Sequence, residues 1–182
     1  MEVTTRMAHR GSADVLAAAA AGDEVAFRQI IAAHHEDMRR VCLVICGDHA
    51  IADEAAQAAW FIAWKKIGKV YDQDRLRPWL VSVAANEAKK LLTKRGRRAE
   101  FETAFDVATE QGGVDPATGV AEIDLDAAMS RLDPDDRALL AMRYVAGFDS
   151  NELARATGIS PSGTRSRIER ALKRLRKELS DG

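Results

Sequence analysis

The 182-residue chain is predicted to be all-α, built as two small helical domains joined by a flexible acidic linker. Three observations predict this. Apolar residues recur with the helical period in one segment after another, and no segment alternates with the period of a strand. Hydrophobic residues are 47% of the chain but aromatics only 5%, so Ala, Leu, Val and Ile must supply the core, which favours helices over sheets. Residues 99–121 set Gly112, Gly113, Pro116 and Gly119 among five acids with no Lys or Arg, the composition of a self-repelling tether. The expected organisation is therefore a disordered tail at 1–11, a four-helix domain at 12–98, the linker at 99–121 and a second helical domain at 122–182.

Ser12 is placed to cap a first helix that reaches Ala21 and stops at Gly22. Its apolar centre, Val15 and Leu16 with several alanines, is short and runs on in the helical pattern, so it reads as a helix rather than a secretion signal. Asp23 starts a longer helix, in which Phe27, Ile30, Ile31, His34, Met38, Val41, Cys42 and Ile45 hold the period as far as Gly47. A third helix, at about 51–67, carries Ala55, Ala56, Ala59, Trp60, Ala63, Trp64 and Ile67. The stretch from Gly68 to Arg77 reads as a polar loop. Pro78 is expected to open a fourth helix, with Leu80, Val83, Ala84, Ala88 and Leu91 inward and Lys94, Arg95, Arg97 and Arg98 at its end. Beyond the linker the helical pattern resumes near Ile123, breaks at Asp133-Pro134 and continues from Ala138 to Val145.

The stretch from Phe148 to Leu179 points to a function. Asp149 or Ser150 can cap a short helix, Gly158 breaks it, and Ser160-Pro161 starts a second one. In that second helix Ile168, Ala171, Leu172, Leu175 and Leu179 form one apolar stripe. Arg165, Arg167, Arg170, Lys173, Arg174, Arg176 and Lys177 lie off it. A short helix, a glycine turn and a longer basic helix make a helix-turn-helix, whose second helix enters the DNA major groove. The net charge of −1 hides this, because the eight acids of residues 99–130 offset basic clusters elsewhere. That acidic tether is a candidate to fold back over the basic helices when DNA is absent.

Other chemistry is sparse. Two cysteines cannot staple a chain of this length, which points to a reducing cytosol. Cys42, Cys46 and His49 have a spacing that a metal site can use, but Cys42 and His34 fall in the apolar stripe, so buried structural thiols are expected. No nucleophile triad, phosphate-cradling loop or paired-carboxylate helix stands out, so neither an enzyme nor a cofactor is expected. No apolar run is long enough to span a membrane.

LDPDDRALLAMRYVAGFDSNELARATGIS followed by SRIERALKRLRKEL resembles the −35-binding domain of the sigma-70 family. DEAAQAAWFIAWKKI followed by RPWLVSVAANEAKKLLTKRGRR resembles the core- and −10-binding domain of that family. With these two domains alone, the chain resembles its extracytoplasmic-function (ECF) class. The resemblance implies a sigma factor that binds core RNA polymerase through the β′ and β subunits, directs it to promoter DNA and helps open the duplex. It also implies a cytoplasmic location and control by an anti-sigma factor.

Carried onto this sequence, the resemblance makes Ser162, Thr164, Arg165, Arg167, Arg170 and Arg174 the candidates for −35 duplex DNA, with Thr164 and Arg165 reading bases. For the separated −10 strand, Tyr71 is placed to stack, Asp72, Gln73 and Asp74 to meet base edges, and Arg75 or Arg77 to hold phosphates. Asn86 shares a helix face with Lys90 and Arg97 there. Core polymerase docking falls to Asp53, Glu54, Gln57, Trp60, Phe61 and Trp64. Three positions depart from the family pattern. Ala58 and Ile62 stand where acidic and basic residues are usual, and Gly163 lies inside the first turn of the recognition helix, where it would allow close approach to DNA. Two other readings stay open: a free-standing helix-turn-helix regulator that dimerises through its N-terminal domain, and a sigma-like protein-interaction adaptor.

Overall fold

In the computed structural model, residue 11, residues 13–103 and residues 120–180 are described, and all the regular structure among them is helical. The first helix, α1 (residues 13–20), buries Leu16 and Ala19 and ends before Gly22, whose φ of 96° suits glycine. Ser12 and the tail lie outside the described residues. In α2 (Glu24–Cys46), Asp23 caps the N-terminus by accepting from the Val25 and Ala26 amides, and Gly47 closes the C-terminus in the left-handed region. Phe27, Ile30, Met38, Val41, Cys42 and Ile45 form its buried stripe. Asp48 caps α3 (His49–Lys66), and a 3-10 turn follows at Ile67–Lys69. The buried face of α3 is mostly alanine, at Ala52, Ala55, Ala56, Ala59 and Ala63.

Both ends of the fourth helix differ from the sequence reading. The fourth helix, α4 (Gln73–Thr103), begins five residues ahead of Pro78, which lies inside it. The Asp72 carboxylate accepts from the Asp74 amide at 3.0 Å, so Asp72 starts the helix before proline is reached. Gln73, Arg75 and Arg77 are thus helical, not loop, residues. At its far end α4 runs beyond residue 98. Residues 104–119 of the expected linker lie outside the described residues, as does the proposed fold-back of its acids, while residues 120 and 121 belong to the next helix.

The second domain contains α5 (Val120–Ser130), α6 (Pro134–Tyr144), α7 (Ser150–Thr157) and α8 (Pro161–Ser180). Asp133 caps α6, with Pro134 in the first turn where its missing N–H costs nothing. Asp149, not Ser150, caps α7 through a reciprocal capping box with Glu152, and Gly158 ends it at φ 72°.

In the first domain α2, α3 and α4 pack on one another. In the second, α6 and α7 support α8. The two domains also meet, because α6 packs against α2 and α4 and α7 reaches α4.

Candidate nucleic-acid interface

The outer face of α8 is basic because its apolar stripe is committed inward. Ile168 and Ala171 are buried, while Ser162, Arg165 and Arg170 are exposed. Thr164 requires a correction. It is 0% exposed, and its hydroxyl donates to the Ser160 carbonyl at 2.7 Å. A buried, satisfied hydroxyl cannot read a base edge, so Thr164 belongs to the turn. Arg167 and Arg174 also reach back to α6, although Arg174 stays exposed. Arg167 Nε donates to Asp136 Oδ1 at 2.7 Å, and Arg174 Nη2 donates to Asp136 Oδ2. Asp136 is itself 0% exposed. The two arginines therefore anchor α8 to α6, leaving Ser162, Arg165 and Arg170 on the outer face, where Ser162 meets Ser160 and Arg170 Nε donates to the Ser166 carbonyl.

Gly163 has a different purpose from the one the sequence suggested. A Cβ there would lie 2.8 Å from Ile159 Cγ2 and 3.1 Å from Ser160 Oγ, so the missing side chain makes room for the helix-turn-helix's own turn. Gly163→Ala gains about 1 kcal/mol of helix propensity at most, against roughly 1–3 kcal/mol for overpacking a branched neighbour. We expect a net loss near 1 kcal/mol by thermal melting. A raised Tm would show that Ile159 moves aside freely.

At the leading edge of α4 the candidate residues point to different sides. Tyr71 is 92% exposed and touches little. Asp72 spends its carboxylate on the Asp74 amide and on Arg75, at 3.1 Å from Nε, so it works as a helix cap rather than a free base reader. Gln73 keeps a buried Oε1 without a hydrogen-bond partner. Arg77 is bound on both sides, to Asp37 at 2.7 Å and to the Ala146 carbonyl at 3.0 Å. Lys90 pairs with Glu87 at 2.6 Å. Arg97 lies outside the residues whose side chains are described. Beside this edge runs a groove of about 390 Å³, lined by Lys69, Arg75, Trp79 and Asn86 on one side and by Glu152 and Arg155 of α7 on the other. Trp79 is half-buried and so belongs partly to the core and partly to this wall.

The third cluster sits on the exposed side of α3. Asp53, Glu54, Gln57, Phe61 and Trp64 line it, with Phe61 63% exposed under the Lys65 ammonium at 3.9 Å from the ring centre. Trp64 leans on Phe27, with ring centres 4.8 Å apart. Trp60 does not join this face. It is buried against Phe27, and its indole N–H donates to His35 Nδ1 at 3.1 Å, which makes it a core residue. Ala58 and Ile62 are half-buried at the margin of the face.

The cysteines are packing residues. Cys42 Sγ donates to the Ala84 carbonyl at 3.6 Å, and burial pushes the Cys42 and Cys46 thiols up to about 12 and about 11. His49 opens the next helix and does not share their face. Sequence reasoning missed Asp136, Arg137 and Lys89. Three acids at a helix start read as a capped, dipole-stabilised first turn, and only the fold reveals which one is buried. Arginines seven residues apart on one face of α8 were the available signal.

Residues 30–98 match the family described as Sigma-70 region 2, and residues 122–175 match Sigma-70, region 4. The chain is 30% identical over 169 residues to the probable RNA polymerase sigma factor RfaY of Xanthomonas campestris, covering 88% of this chain and 42% of that protein. It is 29% identical over 168 residues to the ECF RNA polymerase sigma factor SigM of Mycobacterium tuberculosis, covering 91% and 83%. Among solved structures, the sigma factor RpoE of Bartonella quintana shares the fold, with a TM-score of 0.68 at 22% identity over 85% of this chain and 96% of that one. The described helices include none long and apolar enough to cross a membrane. Two matched regions in family order span about two-thirds of the sequence, and the chain belongs to the sigma-70 family of RNA polymerase sigma factors, in its extracytoplasmic-function class.

Proposed function

We infer that the chain docks on core RNA polymerase through the exposed face of α3 and directs it to promoters. On this reading α8 enters the −35 duplex with Ser162, Arg165 and Arg170 outward, and the edge of α4 takes the separated −10 strand with Tyr71, Arg75 and Asn86. Arg167 and Arg174 act through Asp136 as positioning residues. The observation that carries this reading is the pairing, in one chain, of a helix-turn-helix with a grooved, basic α4, which a simple duplex reader does not need. Polymerase carries the chemistry, and the chain works in the cytoplasm beside it. The relative RpoE was solved in complex with the anti-sigma factor NepR, and that likeness supports an inhibitor of the same kind here.

The test is reconstitution. Purified chain added to core polymerase should co-elute with it and produce discrete starts in sequenced run-off transcripts from genomic DNA. Absence of both association and specific starts rejects the reading. Arg165→Ala should then lose about 1–3 kcal/mol of discrimination at a −35 base pair. Arg170→Ala should weaken all sequences alike and flatten the salt slope by about one unit. Equal, sequence-independent weakening by both variants would assign both arginines to the phosphates.

A further inference from the structure

The stripe of α8 that points most directly away from its own domain is not formed by arginines. Thr164, Ile168 and Ala171 are buried and recur at i, i+4 and i+7. On the opposite side Ser162, Ser166, Glu169 and Lys173 recur at i, i+4, i+7 and i+11, and all four are exposed. Arg165 and Arg170 flank this stripe, one on each side. Glu169 is the anomaly. The helix carries two acids beside seven Lys and Arg residues, and the other acid, Glu178, is tied to Arg131 at 3.2 Å. Glu169 makes no ion pair with a described residue, although Arg165 and Lys173 stand one turn away on either side.

A carboxylate in the middle of a DNA-facing stripe is costly by default, because it is carried toward a polyanion. In the major groove that cost is offset only where the acid meets a donor. Guanine offers O6 and N7, and thymine O4, all acceptors that repel a carboxylate. Adenine sets its N6 amino group beside the N7 acceptor, whereas cytosine presents its N4 amino group alone. We propose that Glu169 is a specificity residue, whose carboxylate accepts from the N4 amino group of a cytosine in the −35 duplex and disfavours the other bases there. This rests on the −35 role given to α8 above. Arg165 and Glu169 are four residues apart, about 6 Å along the helix axis, and stacked base pairs are about 3.4 Å apart. The cytosine therefore lies within two base pairs of the position that Arg165 reads. The two side chains divide the work. The arginine adds attraction that any DNA can use in part, and the acid adds rejection of wrong sequences.

The test uses the complete chain bound to core polymerase and a pool of duplexes built on one promoter located by run-off transcription, randomised across the −35 segment. Duplexes retained by the holoenzyme are sequenced. Wild type should select cytosine at one position, within two base pairs of the position relaxed by Arg165→Ala. Glu169→Ala should lose roughly 5- to 150-fold of preference at that position alone, while holding unselected duplexes more tightly than wild type does. Glu169→Gln supplies an amide that pairs with adenine N6 and N7, so the preference should move from cytosine to adenine. Loss of folding or of charge cannot produce that move, and circular dichroism checks the helix content of each variant. Unchanged preferences in both variants overturn the proposal. So does uniform tightening on all duplexes with the cytosine retained, which would make Glu169 a general electrostatic brake. If the wild-type chain forms no holoenzyme and directs no starts, the sigma reading fails by itself, and fully random duplexes are then presented to the free chain. A cytosine preference lost with Glu169 there upholds this inference without that reading; a pool in which nothing depends on Glu169 overturns both.

Discussion

Arg167→Ala together with Arg174→Ala is expected to cost about 3–5 kcal/mol of stability, more than removing the acid the two arginines share. Asp136 is fully buried, while Arg167 and Arg174 are 28% and 55% exposed at the side chain. Taking away both cations strands a carboxylate where water cannot reach it, the costly way to break a buried pair. Asp136→Ala instead frees two arginines that can turn to solvent, and it should lose only about 1.5–3 kcal/mol, the worth of charge-assisted hydrogen bonds. The order of these two effects separates a buried anchor from two surface ion pairs, which would each be worth under about 1 kcal/mol. Urea unfolding with unchanged m-values measures it. If the double variant is as stable as wild type, the arginines are free for DNA as the sequence alone suggested.

Phe61→Ala is expected to leave stability unchanged and to weaken core polymerase binding by about 2–4 kcal/mol, roughly 30- to 1,000-fold. The ring is 63% exposed and contributes little to the core. An outward aromatic stiffened by a neighbouring cation and flanked by Gln57 and Trp64 is the kind of side chain that dominates an interface once desolvated. Trp60→Phe should do the opposite. It removes the hydrogen bond to His35 inside the core, so it lowers the melting temperature while affinity per folded molecule holds. Titration of labelled core polymerase, scored against thermal melts, distinguishes the two. Equal loss of affinity for both would return Trp60 to the docking face.

What the sequence made legible was mainly local. Asp23 and Asp149 cap helices where the pattern placed a start, and Asp48 and Asp133, which the pattern showed only as breaks, cap helices too. Gly22, Gly47 and Gly158 follow the periods and carry positive φ. The errors come from positions at the edge of a stripe. Thr164 precedes Ile168 by four residues and so shares its face, yet a hydroxyl on a basic helix invites a DNA role. Trp60 sits between Ala56 and Ala63 on the alanine face, and only the family resemblance had assigned it to docking. Pro78 looked like a helix start because proline is favoured there, but Asp72 had already supplied a cap. Asp136 was beyond reach, since its burial depends on how α6 meets α8, a contact with no local trace.

The alanine face of α3 carries a consequence for how this protein tolerates change. Alanine loses no side-chain rotamer freedom on burial, so a core built from Ala52, Ala55, Ala56, Ala59 and Ala63 orders cheaply and lets neighbouring backbones approach closely. Little can be cut away from such a core, and almost nothing can be added. Each of these positions should reject valine or leucine, where added methylenes cost about 1–3 kcal/mol by forcing helices apart. A leucine-rich bundle is vulnerable to truncation; this one is vulnerable to growth. Changes that spare folding are therefore confined to the outward side of α3, the proposed polymerase contact, and have little room on the side that fixes where that contact lies.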